Sequence, residues 1–460
     1  MMPHAVKSQA RSLARAGIGP LWIAALMMLS LMVAALSATM ARAEIDIKEV
    51  TSPGGITAWL VEDHSIPFMA LELHFRGGTS LEAPEKRGAT YLMTGLLEEG
   101  AGDMRAQDYA RALEGLAAGF SFDASKDVVS ISAEMLTENR AEVAALLRQT
   151  LMEPRFDQDA LDRVRAQVLV GLRSDEKDPN TIAGLAFAEM AFGDHPYGSD
   201  GKGTPETVTN LTRQDMFDAH EAVFARDRLY VSAVGDITPE DLGVLLDDLL
   251  GALPETGAPM PGPIEPQIAG GTTVVDFDTP QSVALFGQVG IDRHDPDFFA
   301  AYVLNQILGG GSFESRLMTE VREKRGLTYG AYSYLVPRDL AATYMGSFAS
   351  ANEKMAEAVS VVRNEWTKIA TQGVTEAELA DAKTYLTGAY PLRFNGNSQI
   401  ASILVAMQMD DLGLDYVKTR NAKVDAVTLE DANRVAARLY DPEALHFTIV
   451  GRPEGLDTSN

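Results

Sequence analysis

The feature that most constrains the fold of this chain is a repeat of its own sequence pattern at a nearly fixed offset. Leu211–Asp236 and Val427–Arg452 lie 216 residues apart, and each is typical of a helix, a turn and a strand that closes with Val-Gly. Phe156–Gly171 and the stretch that begins at Val374 form a second pair, 218 residues apart. Because self-similarity at a fixed period indicates repeated structural units, the sequence predicts two homologous domains.

The boundary between the two domains is marked by Pro254–Gly271, which holds five prolines and four glycines in eighteen residues. Such a stretch cannot form a helix or a central strand, and it is typical of a semi-rigid linker. We therefore place the domains at 44–256 and 271–455, with the linker at 257–270. Strand and helix patterns interleave in each domain without a Gly-rich dinucleotide fingerprint. The predicted fold class is α+β, with a mostly antiparallel sheet in each domain and helices packed on one face.

The N-terminus has the pattern of a secretory signal peptide. Three cations, Lys7, Arg11 and Arg15, precede the apolar run Leu21–Leu36, and Ala41–Ala43 supplies a small-x-small cleavage pattern. We predict that residues 1–43 are a signal peptide and that the mature protein is periplasmic. The alternative is an uncleaved anchor, because the apolar run approaches the roughly 20 residues that span a bilayer. No later segment is apolar enough to span, so we expect no membrane span after cleavage.

Charge and residue inventory exclude several classes of function. The formal net charge of −26 argues against nucleic acid or an anionic membrane as a partner, since both repel an acidic surface. The chain has no cysteine, so disulfides and thiolate metal sites are ruled out. No two of its seven histidines lie three to five residues apart, as a helical metal motif requires. Any metal site would have to be assembled from distant parts of the chain, and we expect none.

A predicted strand and helix near the start of the first domain carry a family resemblance. Phe68–Gly78 alternates like a half-buried strand, and Arg87–Gly100 has apolar residues at helical spacing, with Gly100 where the helix would stop. This strand, loop and helix resemble the opening of the pitrilysin, insulinase and mitochondrial processing peptidase family of zinc peptidases. The resemblance covers nearly all of the mature chain, and it implies the same fold in both halves.

The resemblance also implies where the zinc site should be. In the family this helix carries an inverted His-x-x-Glu-His motif, which would place two histidines at Tyr91 and Gly95 and the catalytic glutamate at Thr94. The family's third ligand, a glutamate on a later helix, aligns near Val170–Gly171. Zinc needs imidazole, thiolate or carboxylate ligands, and a catalytic site keeps three of them. We therefore expect no catalytic residues in this chain, and we expect the zinc cofactor in a partner subunit.

The second half retains two residues to which the resemblance gives a role. Arg322 and Tyr329 match an arginine and a tyrosine that serve a peptide held at the zinc of the opposite half. We predict Arg322 on the last turn of a Ser315–Lys324 helix that stops at Gly326, and Tyr329 on the strand that follows. Without the resemblance, Arg322 would be interpreted as a solvated surface residue and Tyr329 as a core aromatic.

A third repeat pair, at an offset of 211, compares the two halves at these sites. At this offset, the three zinc-motif positions of the first half correspond to Tyr302, Asn305 and Gln306 in the second half. None of these is a catalytic zinc ligand, so neither half can build the family's site. The same offset places Arg111 and Ala118 opposite Arg322 and Tyr329, so only the second half keeps that pair.

Three functions remain open from the sequence. The preferred one is a non-catalytic subunit of a heteromeric zinc peptidase, which closes the peptide chamber and supplies Arg322 and Tyr329 to a homologous zinc-bearing subunit. The second is a non-enzymatic peptide-binding or scaffold protein on a degenerate peptidase fold. The third, an active peptidase with another metal arrangement, is disfavoured because the chain offers so few ligands.

Overall fold

The computed structural model of the protein describes residues 45–311 and 314–456. The predicted signal peptide, residues 1–43, lies outside the described residues. From Ile47 onward the chain forms one compact unit, and the description below concerns that unit. Within the described ranges, no helix combines the length and the apolar character needed to cross a membrane.

The first half contains one six-stranded sheet and a two-stranded ribbon. Its strands are β1 (Lys48–Thr51), β2 (Thr57–Glu62), β3 (Phe68–Arg76), β4 (Gly100–Ala101), β5 (Met104–Arg105), β6 (Gly119–Ala124), β7 (Val128–Leu136) and β8 (Leu229–Gly235). The large sheet has the order β1-β2-β8-β3-β7-β6, and β4 pairs with β5. Every pairing in the large sheet is antiparallel except the one between β2 and β8.

The helices of the first half are α1 (Ala89–Leu97), α2 (Ala106–Gly115), α3 (Arg140–Met152), α4 (Gln158–Asp175), α5 (Pro179–Phe192), α6 (Pro205–Asn210), α7 (Arg213–Val223) and α8 (Pro239–Leu250). Buried apolar side chains of α1, α3, α4, α7 and α8 form a single core with the sheet. Residues 251–270, which follow α8, contain neither helix nor strand.

The second half has the same plan with five strands. These are β9 (Gly271–Asp276), β10 (Gln281–Val289), β11 (Ala331–Pro337), β12 (Ala342–Ala351) and β13 (His446–Gly451). The sheet order is β11-β12-β10-β13-β9, and only β9 and β13 run parallel.

The helices of the second half are α9 (Phe298–Leu308), α10 (Met355–Gln372), α11 (Glu376–Ala389), α12 (Asn397–Met409), α13 (Tyr416–Asp425) and α14 (Leu429–Leu439). Side chains of α9, α10, α11 and α14 form the second core with the sheet. The predicted α+β class, with two related domains and mostly antiparallel sheets, is confirmed.

The other face of each sheet is covered by one helix from the opposite half. Helix α12 packs Leu404 and Met407 against Trp59 and Val234 of the first sheet. Helix α5 places Phe187 and its neighbours on the second sheet in the same way. The prediction of helices on one face did not include this exchange, because sequence periodicity does not show which distant element covers a strand.

The exchange corrects the expectation for β3. Its alternating pattern predicted a half-buried strand, but Ala70 and Glu72 on its second face are buried as well. Helix α12 covers them, and Ser402 of this helix donates a hydrogen bond to the Glu72 carboxylate at 3.1 Å. Ser132 of β7 donates a second one at 2.9 Å. These hydrogen bonds satisfy a carboxylate that would otherwise be costly to bury.

His220, on the last turn of α7, makes the folded state sensitive to acid. Its Nε2 lies 2.8 Å from the Leu151 carbonyl oxygen, and its ring lies 4.7 Å from that of Phe224. Burial lowers the pKa of His220 to about 4, against an ordinary value near 6.5. The folded state therefore holds His220 neutral between these values, whereas the unfolded state takes up a proton.

Because of this difference in pKa, we expect the unfolding free energy to fall by about 3 kcal/mol as pH falls from 6.5 to 4. Above pH 6.5 His220 is neutral in both states, and none of this stability is lost. His220→Gln keeps an amide donor for Leu151 and removes the titration. Urea unfolding at pH 7.5 and pH 4.5 should show a smaller loss in this variant than in the wild type. His64→Gln is the control, because the hydrogen bonds of His64 to Asp236 and Glu62 raise its pKa instead. An equal loss in His220→Gln and the wild type would refute the assignment.

Candidate functional site

Helix α1, where the family resemblance places its zinc motif, is held firmly in the first core. Leu92, Met93, Leu96 and Leu97 are all fully buried. The helix spans Ala89–Leu97, so it stops short of the predicted end at Gly100, which lies in β4. The apolar face of the predicted helix is confirmed, and its C-terminal end is corrected.

The start of α1 depends on a glycine and a carboxylate. Gly88 has a φ of +95°, and a Cβ at this position would lie 2.5 Å from the Lys202 carbonyl oxygen, so a larger residue does not fit. The Glu82 carboxylate accepts hydrogen bonds from the Gly88 and Thr90 amides at 3.0 and 2.5 Å. A carboxylate on the free amides of a helix N-terminus stabilises the helix, although burial raises the pKa of Glu82.

The motif positions on α1 carry no ligand chemistry. Thr94 is buried, and its hydroxyl donates to the Tyr91 carbonyl oxygen at 2.9 Å. Gly95 faces α4, where a Cβ would approach Val164 to 3.3 Å. At the third ligand position on α4, Val170 is 63% exposed and Gly171 has open space beside it. Across residues 45–311 and 314–456, no group of three His, Cys, Asp or Glu side chains could hold a metal ion.

The three corresponding residues of the second half lie on α9, and two of them form side-chain hydrogen bonds. Asn305 accepts from the Ser333 hydroxyl at 2.9 Å, and the Tyr302 hydroxyl accepts from Arg420 at 3.2 Å. Asn305 and Gln306 are both buried. These side chains therefore have a structural role in the second core.

Arg322 lies on a helical turn of unusual geometry. The segment Met318–Glu323 is a π-helical turn, so the predicted regular helix over Ser315–Lys324 is wrong in detail. The turn closes at Gly326, which has a φ of +60° and donates its N–H to the Arg322 carbonyl oxygen at 2.8 Å. Because π-turns insert an extra residue, they redirect side chains and occur often at functional sites. The side chain of Arg322 is half-buried.

Tyr329 lies in the connection before β11, so its predicted place on the strand is wrong by two residues. The connection is fixed by Thr328, whose hydroxyl donates to the Gly330 carbonyl oxygen at 2.8 Å and accepts from the Gly330 N–H at 3.1 Å. Tyr329 is 85% exposed, so its phenol is open to a ligand or a partner surface. Tyr332 and Tyr334 on β11 are also exposed, and β11 is an edge strand.

A polar network that the sequence did not reveal joins the two halves. Tyr197 of the first half donates its hydroxyl proton to the Asp127 carboxylate and accepts the Leu340 N–H at 3.1 Å. Arg76 pairs with Asp339 at 3.1 Å. Burial raises the pKa of Asp127 and Asp339. These contacts fix the relative position of the two sheets.

Lys126, in the turn before β7, belongs to the same region. Its ammonium donates hydrogen bonds to the carbonyl oxygens of Pro196, at 2.8 Å, and Ser199. Burial lowers the pKa of this lysine to about 8, and the positive charge of Arg87 adds to the effect. A lone lysine in a turn has no sequence pattern that would have singled it out.

Comparison with known proteins places these observations in a family. Residues 58–201 match the model of the insulinase family, peptidase family M16, and residues 210–386 match the model of the peptidase M16 inactive domain. A protein named non-peptidase homolog YmxG from Helicobacter pylori is 28% identical over 393 residues, which cover 85% of this chain and 90% of that protein. An uncharacterized zinc protease of Mycobacterium leprae is 26% identical, over 85% of this chain and 88% of that protein.

Solved structures agree with the sequence comparison. The crystal structure of a peptidase M16 inactive domain from Pseudomonas fluorescens superposes with a TM-score of 0.83 and 28% identity, and it covers 90% of this chain and all of that one. A protease from Helicobacter pylori superposes with a TM-score of 0.80 at 18% identity, and it covers 88% of this chain and all of that one. At that lower identity the likeness concerns the fold alone.

Proposed function

Because this chain belongs to the insulinase family of peptidases, family M16, we propose that it is the non-catalytic subunit of a two-chain zinc peptidase. A homologous zinc-bearing subunit would supply the metal and the catalytic glutamate. This chain would close the peptide chamber and contribute Arg322 and Tyr329 to substrate binding. The likeness to proteins described as an inactive domain and a non-peptidase homolog supports the non-catalytic role.

The observation that carries the proposal is the state of helix α1. Its core face, its glycine start and its capping carboxylate are intact, while Tyr91, Thr94 and Gly95 occupy the three motif positions. If the chain no longer needed this fold, nothing would require the helix to keep its apolar face, its glycine start and its capping carboxylate. A helix that keeps its packing and lacks its ligands is what a chain needs when it must still assemble but does no metal chemistry.

The substrate role of Arg322 and Tyr329 has a chemical basis. A guanidinium and a phenol are both hydrogen-bond donors, and donors aimed at a peptide carbonyl stabilise the negative charge that develops on its oxygen during hydrolysis. Tyr329 is exposed on an ordered connection, and Arg322 precedes it across one left-handed glycine. Both could therefore act on a substrate held by another subunit.

A periplasmic location is also part of the proposal, and the signal-peptide pattern of residues 1–43 supports it. A signal peptide at residues 1–43 would deliver the chain to the periplasm, where its zinc-bearing partner would also have to be exported. Peptides that reach this compartment would be the substrates.

Mixing this chain with its zinc-bearing homologue tests the proposal. We expect a stable complex on gel filtration, and hydrolysis of an unstructured peptide that neither chain achieves alone. The partner to use is a secreted homologue that carries an intact zinc motif, and the reading frame beside this one is the first place to search for it. Full activity of the zinc-bearing chain by itself, unchanged by addition of this one, would contradict the proposal and favour a separate peptide-binding or scaffold role.

A further inference from the structure

A pocket of about 330 Å³ opens in the second half between helices α9, α12 and α13 and the turn at 390–393. Its size is at the lower end of the range of cavities that enclose a small ligand, which begins at roughly 300 Å³. Five aromatic rings line this arginine–aromatic pocket: Phe298, Phe299, Tyr302, Tyr390 and Tyr416. Such walls fit an apolar or aromatic group.

The charges of the arginine–aromatic pocket oppose those of the whole chain. Three arginines, Arg293, Arg393 and Arg420, line it together with a single acid, Asp410. The lining is therefore positive in a chain whose formal net charge is −26. A concave positive site within an acidic surface attracts an anion, and the surrounding acidic surface repels the same anion elsewhere.

Arg420 supplies a fixed positive charge at the wall. Only 4% of this residue is exposed, and its guanidinium lies 4.5 Å from the centre of the Tyr390 ring. Its hydrogen bonds within the described residues go to neutral acceptors, namely the Leu386 carbonyl oxygen at 2.8 Å, the Asn421 side chain at 2.9 Å and the Tyr302 hydroxyl at 3.2 Å. No carboxylate of the described chain neutralises this buried cation.

Of the other two arginines, Arg293 has one carboxylate partner and Arg393 has none among the described residues. Arg293 packs 4.3 Å above the Phe298 ring and reaches the Asp410 carboxylate only at 3.5 Å. Burial raises the pKa of Asp410, and the nearby charge of Arg293 acts against this shift. Arg393 is exposed at the rim and forms no hydrogen bond or ion pair with the residues that the structure describes. A guanidinium in this position can bind a carboxylate through two parallel hydrogen bonds.

One wall also offers groups that suit a peptide backbone. Gln399 and Ser402 of α12 line the arginine–aromatic pocket beside the arginines. The Ser402 hydroxyl already donates to Glu72, so its oxygen is left to accept an N–H. The Gln399 amide can donate and accept. A ligand that combines an anionic end, an apolar group and amides would use every part of this lining.

We propose that the arginine–aromatic pocket binds the C-terminal carboxylate of a peptide whose last side chain is apolar or aromatic. The carboxylate lies at Arg393 and faces Arg420, and the last side chain enters the aromatic walls. This inference goes beyond the subunit role proposed above, because it concerns this chain alone and needs neither zinc nor a partner. The pocket lining includes neither Arg322 nor Tyr329 nor the motif positions on α1, although it includes Tyr302, the second-half counterpart of Tyr91.

Binding of a short labelled peptide that ends in phenylalanine tests the inference on the purified chain. Fluorescence anisotropy should show saturable binding of the free acid. The C-terminal amide should bind at least about tenfold more weakly than the acid, because a charged hydrogen-bonded pair contributes about that much to affinity. Arg393→Gln should weaken binding of the free acid about tenfold and leave the amide unchanged. Ala406→Trp, at an exposed position on the pocket wall, should block both peptides.

The control is Arg173→Gln, which removes the same charge from an exposed position on α4 and should leave binding unchanged. Equal affinity of the acid and the amide would overturn the proposal, as would wild-type affinity in both Arg393→Gln and Ala406→Trp. Competition with phenylpropionate distinguishes a peptide C-terminus from a small aromatic acid as the source of the carboxylate. Saturable binding of phenylpropionate without binding of the peptide would also overturn it, because the occupant would then be a small aromatic acid.

Discussion

Replacing Leu404 with glutamate is expected to abolish the cooperative folded state of this protein. Leu404 is fully buried, and it lies on α12, which crosses from the second half to pack on the first sheet beside Trp59 and Val234. Truncation of a buried leucine alone costs about 2–5 kcal/mol, and an unpaired buried carboxylate costs several more. The sum approaches the whole stability of an ordinary domain, about 5–15 kcal/mol.

Urea unfolding followed by tryptophan fluorescence measures this effect, since Trp59 contacts the same cluster. Val170→Glu is the matched control, because it places the same residue on a helix at a 63% exposed position and should change stability by less than about 0.5 kcal/mol. A wild-type midpoint for Leu404→Glu would show that α12 does not pack on the first sheet in solution.

Replacing Arg322 with alanine is expected to lower the kcat/KM of the proposed two-chain enzyme about 100-fold, while assembly stays intact. The basis is the proposed role of its guanidinium as a donor to the substrate carbonyl, and the loss of one such donor costs about 10²–10³ in rate. Peptide hydrolysis by the mixed chains measures the activity. Gel filtration of the same mixture checks that the subunits still associate.

Two further variants separate a direct role from a general effect of charge. Tyr329→Phe removes only the hydroxyl and should lower activity about tenfold. Arg325→Ala removes a nearby exposed arginine that pairs with Glu320 at 2.7 Å, and it should leave activity unchanged. Full activity in the Arg322→Ala, Tyr329→Phe double variant would contradict the proposed role of both residues.

Local pattern was sufficient to predict the elements of the fold but not their mutual coverage. Leu92, Met93, Leu96 and Leu97 have helical spacing, and all four are buried on one helix face as expected. Burial of Glu72 could not be predicted, because the helix that covers it comes from residues 397–409. An element some 330 residues distant leaves no mark in the local periodicity of β3.

For the candidate site as well, residue types could be predicted from the sequence, but the local geometry could not. The absence of ligands at Tyr91, Thr94 and Gly95 follows from residue type, which the sequence gives directly. The π-turn at Arg322 was missed, because a single extra residue in a helix leaves no signature in its composition. The arginine–aromatic pocket was missed as well, since its walls come from four separate stretches that only the folded chain brings together.

Zinc content of the separated chains is the most direct test of the central claim, that this subunit has lost metal chemistry and keeps the fold for assembly. Each purified chain is equilibrated with zinc, passed through gel filtration and analysed for bound metal. We expect no stoichiometric zinc in this chain and one zinc in its catalytic partner. Stoichiometric zinc in this chain alone, abolished by substitution of one of its histidines and accompanied by peptide hydrolysis, would contradict the account.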